Sequence, residues 1–265
     1  MRRILPILGA VGLTWAVGLG FAWAAAVADP IKVLVITGDN VPAHDWQGTT
    51  KAIQEILSDK SKFDVAVTET PAKDLTPANL AKYDVLILNY RDTKPTADTT
   101  WSDDNKKALL DAVKAGKGLV VHHFASAAFV NPNWEEYEKA IAGGWRKQGY
   151  HGPKHEFKVK KSDASHPISE GAPAEWGHYI DELYSNSLMV PGSVVLATAY
   201  ADPALPKGTG KDEAVIWVNQ YGQGRVVNNV LGHDVIAMGD PKYREWFRRG
   251  VEWAATGKVQ PPAAK

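Results

Sequence analysis

Histidines and carboxylates carry the polar chemistry available to this chain of 265 residues, because it contains no cysteine. Without a thiol there is no disulfide, no thiolate metal ligand and no cysteine nucleophile. Eight histidines are present, and imidazole is the side chain whose ordinary pKa suits proton transfer near neutrality. His44 and Asp45 follow one predicted strand, His123 closes another, and His233 with Asp234 follows a third. Neighbouring strand residues face opposite ways, so at most one of His122 and His123 looks into a common crevice. His151 and His155 have the spacing of two metal ligands on a helix, but Gly152 and Pro153 between them oppose a helix. As loop residues they remain candidates for substrate or metal binding. Asp181 and Glu182 form an acidic pair suited to acid/base work, metal ligation or hydrogen bonds to hydroxyl groups. Trp46, Trp134, Trp145 and Trp176 lie in loops or near helix starts, where an indole ring can flank a ligand. The donor set admits a divalent metal, zinc or similar, held by histidine and carboxylate alone.

Such residues need a scaffold that gathers them. Residues 31–37 (IKVLVIT) and 84–90 (DVLILNY) are apolar runs typical of strands buried on both faces, and 63–68 and 118–123 (GLVVHH) read the same way. Helical stretches alternate with them. One begins at Ser102, with Asp103 and Asp104 at the positive end of its dipole, and stops at Gly116. The last helix is capped by Asp240, has Pro241 in its first position and ends before Gly257. Strands alternating with helices imply right-handed crossovers and a parallel sheet covered on both faces. Residues 194–200, 214–219 and 225–230 read as later strands, the last two joined by a hairpin turn at Gly222-Gln223-Gly224. In such folds ligands bind beyond the carboxyl ends of the strands. Three predicted strand ends deliver a histidine to that edge.

Thirty basic residues balance thirty acidic ones, which leaves no field for binding phosphate backbones, so nucleic acid is excluded as a partner. Arg2 and Arg3 precede an uncharged stretch, residues 4–28, that ends in Ala26-Val27-Ala28. This pattern reads as a cleaved signal peptide over 1–28. A single domain over 29–265, located in the periplasm or secreted and not inserted in a membrane after cleavage, is the corresponding expectation; a homo-oligomer is compatible with it. The competing reading of residues 1–28 is an uncleaved anchor.

His44-Asp45-Trp46, Gly118 to Ala125, Gly143-Gly144-Trp145, Asp181-Glu182-Leu183-Tyr184, Tyr221 to Val226 and Leu231-Gly232-His233-Asp234 occur in an order that resembles the trehalose-utilisation (ThuA-like) family. The resemblance covers essentially the whole chain after residue 28. It implies the flavodoxin-like, three-layer α/β sandwich of class I glutamine amidotransferases, with a mainly parallel central sheet. In those enzymes the strand that here ends at His123 leads into a nucleophilic cysteine, so the absence of cysteine excludes glutaminase chemistry. The resemblance further implies carbohydrate catabolism on glycosides or 3-keto glycosides. The corresponding expectation is that His123 and His233, with His44 and Asp45, do acid/base chemistry. His151, His155, Asp181, Glu182 and Trp46 then bind the sugar or a metal. The alternatives are a non-catalytic sugar-binding protein or an envelope interaction protein.

Overall fold

The computed structural model describes residues 29–260. The leader expected over 1–28 lies outside the described residues. Each apolar run of the sequence becomes a strand: β1 (Ile31–Ile36), β2 (Phe63–Thr68), β3 (Val85–Leu88) and β4 (Gly118–His122). Helix α1 (Trp46–Ile56) connects β1 to β2, and α2 (Asp103–Lys114) precedes β4. A reciprocal cap starts α2, in which Ser102 Oγ accepts from the Asn105 backbone and Asn105 Oδ1 accepts from the Ser102 backbone. Helix α3 (Glu135–Ala140) follows. Then come β5 (His155–Lys161), β6 (Glu175–Asp181), β7 (Val194–Tyr200), β8 (Asp212–Tyr221), β9 (Gly224–Asn229) and α4 (Pro241–Thr256).

Among the described residues the main sheet has nine strands in the order β2-β1-β3-β4-β9-β8-β7-β5-β6. From β2 to β9 neighbours are parallel. From β9 to β6 they are antiparallel. Alternating side chains build two core layers. Val33, Val35, Ile87 and Val120 pack under Ile53 and Ile56 of α1 and Phe247 and Val251 of α4. Leu34, Ile36, Leu86 and Val121 pack under Leu109 and Val113 of α2. Each such fully buried aliphatic side chain contributes roughly 1.5–3 kcal/mol.

Direction along the sheet decides where chemistry can gather. Antiparallel pairing reverses the chain at each step, so all strands except β8 and β5 point the same way. The far strand β6 therefore ends on the same edge as β1, β4 and β9. Four strand spacings of about 4.8 Å would still separate β6 from β9 in a flat sheet. Register shifts in the β7–β8 and β5–β6 pairs accompany a curl that packs β6 against the turn at 237–239 and against α4.

Candidate active site at the carboxyl edge of the sheet

After β1 the chain loops back through Val41 and Ala43 to His44, immediately before α1. Asp45, expected beside His44 in catalysis, instead caps α1, its Oδ1 accepting from the Gly48 backbone at 2.9 Å. Trp46 is buried, packs with Val41 and Phe124, and donates from Nε1 to Asn40 Oδ1 at 3.2 Å, so it offers no face to a ligand.

Strand β4 ends at His122, one residue earlier than expected. His122 is fully buried, with Nδ1 3.1 Å from Asn89 Oδ1, and burial pushes its pKa down to about 3. His123 then adopts a φ of +40°, in the left-handed region that side chains other than glycine rarely occupy. That backbone turn sends the two adjacent rings to different places. His123 Nδ1 lies 2.7 Å from the Val230 carbonyl, which can only accept, so Nδ1 carries the proton and Nε2 is left with its lone pair. Beyond β9, Gly232 has a φ of +96°, and a Cβ there would lie 2.7 Å from both His122 Nε2 and the Tyr243 hydroxyl. Glycine is required at this close approach, and it places His233 beside His123.

The ring centroids of His44, His123 and His233 lie 4.7–5.3 Å apart. Glu182, just beyond β6, completes the group. Its Oε2 lies 3.4 Å from His123 Nε2 and 3.2 Å from His233 Nδ1, and its Oε1 lies 3.6 Å from His151 Nε2. One potential ligand atom from each of His44, His123, Glu182 and His233 falls within 4.8 Å of the others. Burial pushes the Glu182 carboxyl up, but the His123 and His233 imidazoles outweigh it and hold the group well below the usual carboxylate range. Burial, followed by the charges of His123 and His233, pushes His44 down to about 3, which keeps its ring neutral and able to ligate.

Whether a cation fits is answered by the donors. His44 Nδ1 is buried without a hydrogen-bond partner among the described residues, a costly arrangement that a ligated ion would relieve. Three imidazoles and a carboxylate are a zinc-type donor set.

Asp181 does not face this cluster. It is fully buried, and its two oxygens accept four hydrogen bonds: from the Glu182 and His233 backbones on Oδ1, and from the Gly232 backbone and His178 Nε2 on Oδ2. It therefore ties the segment carrying Glu182 to the segment carrying His233, and its expected role in binding sugar is corrected to one of positioning. His178 donates its other nitrogen to Asp240 Oδ2 at 2.6 Å, which joins this tie to the cap of α4. Burial opposes charge on His178, yet the two carboxylates raise its pKa to about 9. The folded-state value exceeds the ordinary 6.5, so this stabilisation is complete below about pH 6.5 and is lost as the pH rises through about 9. Thermal melts of the wild type are expected to fall across that window and those of His178→Asn to be flatter there; parallel profiles would contradict the charged clamp.

His151 sits on the open side of the cluster, 38% exposed, with Nδ1 donating to the Gly152 carbonyl at 2.7 Å and Nε2 turned to Glu182. His155 stands apart. It opens β5, its Nδ1 donates to the Pro153 carbonyl at 2.9 Å and its ring packs on Phe157, so it does not join the cluster. Of the loop tryptophans, Trp134 stacks on Tyr137 and Trp176 packs on Trp246. Trp145 alone of the four borders the site, against Tyr184 and His151. Sequence reasoning gave Tyr184 no role, although its position two residues beyond Glu182 signals the same side of an extended chain. Its hydroxyl lies 3.0 Å from His123 Nε2.

A family model described as trehalose utilisation, ThuA, matches residues 32–254. A ThuA-like protein of Parabacteroides merdae is 30% identical, with a TM-score of 0.76 over 89% of this chain and 94% of its own. Another from Bacteroides uniformis is 18% identical, with a TM-score of 0.70 over 89% and 98%. Two Salmonella typhimurium proteins share the fold at 13% and 15% identity and TM-scores of 0.60 and 0.54, each over 85% of this chain and over 99% and 97% of their own. No curated protein matches the sequence. The periplasmic or secreted location expected from the leader is withdrawn, since both Salmonella neighbours are named cytoplasmic proteins. No helix among the described residues is long and apolar enough to cross a membrane.

Proposed function

We propose that this chain, which belongs to the ThuA trehalose-utilisation family, processes glycosides or 3-keto glycosides at the His44, His123, Glu182 and His233 cluster together with a divalent cation. Family membership points to carbohydrate utilisation. The observation that supports the finer reading is a three-imidazole, one-carboxylate group, with His44 Nδ1 buried and unpartnered among the described residues, at the edge where α/β folds bind ligands.

A ketone at sugar carbon 3 acidifies the hydrogen on carbon 2. A base removes that proton, the electron pair passes through the enolate, the bond from carbon 1 to the glycosidic oxygen breaks, and the departing oxygen is protonated. Water then adds across the new double bond. His44, His123, Glu182 and His233 would hold the cation, with the Val230 carbonyl fixing the tautomer of His123. When bound, such an ion supplies Lewis-acid stabilisation of negative charge on the ketone oxygen. His151 is the group left to move protons: its Nδ1 is occupied by the Gly152 carbonyl, its Nε2 keeps the lone pair of the neutral ring, and it is open to solvent on one side. General acid or base help of this kind is worth roughly 10²- to 10⁴-fold. His123 and His233, which share Glu182, serve better as ligands than as a separated acid and base.

The test is incubation of the purified protein with 3-keto-trehalose or a 3-keto glucoside, with and without chelator. Sugar release that chelator abolishes and added zinc restores is the expected result. Unchanged substrate in the presence of zinc would contradict the proposal.

A further inference from the structure

Tyr184 is fully buried against the site. Its ring stands 4.6 Å from that of His123 and 4.6 Å from that of Trp145, and it stacks on His151 at 6.3 Å. A short antiparallel pair aligns Tyr184 with His151 in register, so the phenol and the solvent-facing imidazole belong to one ribbon. The recorded partner of the hydroxyl is His123 Nε2 at 3.0 Å. That contact has a defined polarity. The Val230 carbonyl takes the proton of Nδ1, so a neutral His123 offers only one in-plane lone pair, on Nε2, and the phenol must be the donor.

One lone pair cannot serve both a phenol and a cation. Once Nε2 turns to a cation, the Tyr184 hydroxyl loses that partner, and leaving a buried hydroxyl unpaired costs about 1–3 kcal/mol. It must find another acceptor within reach. Resting on the cation-assisted reading above, we propose that Tyr184 is a catalytic hydrogen-bond donor: its hydroxyl, which lies 3.0 Å from His123 Nε2, donates to the substrate's reacting oxygen when His123 is engaged as a ligand. A competing acceptor is Glu182, whose Oε2 lies 3.4 Å from the same nitrogen.

Tyr184→Phe in the full-length protein separates the two. Co²⁺ titration reports the binding of the metal alone, and turnover of a 3-keto glucoside gives kcat and KM separately. The expected result is Co²⁺ affinity and KM within about threefold of wild type and kcat lower by about 10²- to 10³-fold, the loss typical of removing one donor to a developing oxyanion. An unchanged kcat would overturn the proposal, because the hydroxyl would then serve only Glu182 or nothing. Parallel losses of Co²⁺ affinity, melting temperature and kcat would also overturn it, since they mark a packing role. A wild type that neither binds Co²⁺ nor turns over substrate removes the reading of the site along with this inference. A wild type that does both, beside an unaffected Tyr184→Phe, removes the inference alone.

Discussion

Glu182→Gln is expected to lower divalent-cation affinity by at least about 10²-fold and to abolish turnover, a larger loss than the 10- to 100-fold typical of outer-shell changes. Glu182 is the carboxylate that lies against His123, His151 and His233 at once. Glutamine keeps the shape and removes the charge, so the fold should survive. Isothermal titration with Zn²⁺, beside a thermal melt of the same sample, checks both parts. Zinc affinity within a few fold of wild type would show that the cluster does not ligate as a unit.

Asp181→Ala is expected to cost stability instead, about 3–5 kcal/mol, as removal of one partner from a buried ion pair does. At roughly 2–4 °C per kcal/mol for a chain of this size, the melting temperature should fall by about 10 °C. Asp181→Asn should rescue little. All four groups on the Asp181 oxygens are donors, so an amide NH₂ faces two of them in either orientation. A melting temperature for Asp181→Asn equal to wild type would refute this account of how β6 is held to the loop after β9.

The parallel half of the sheet was legible because its strands are buried on both faces and read as unbroken apolar runs, as in VLIL of β3. The caps at Ser102, Asp240 and Gly257 were equally plain. Strands β5 and β6 were not legible. HEFKVKK and EWGHYID bury only alternate residues, and Phe157, Val159, Trp176 and His178 are too few apolar signals to separate a half-solvated strand from a loop. Missing these strands hid the curl of the sheet, and with it the division of labour between Asp181 and Glu182. Adjacent residues at a strand end point apart, so one turns inward to hold backbone and the other turns to the cluster. The gathering of His44, His123 and His233 followed from strand ends alone. Asp45 was misjudged for a local reason: a carboxylate just before a helix is a good cap whatever its neighbour does. His155 was kept as a loop candidate beside His151, and the strand that begins at His155 carries it away from the cluster.

Metal content of protein purified without an affinity tag, measured by plasma mass spectrometry after zinc reconstitution and gel filtration, tests the central claim most directly. The account predicts about one equivalent of zinc per chain in the wild type and next to none in Glu182→Gln and His233→Ala. A wild type that retains no zinc, or variants that retain as much as it does, would contradict the account.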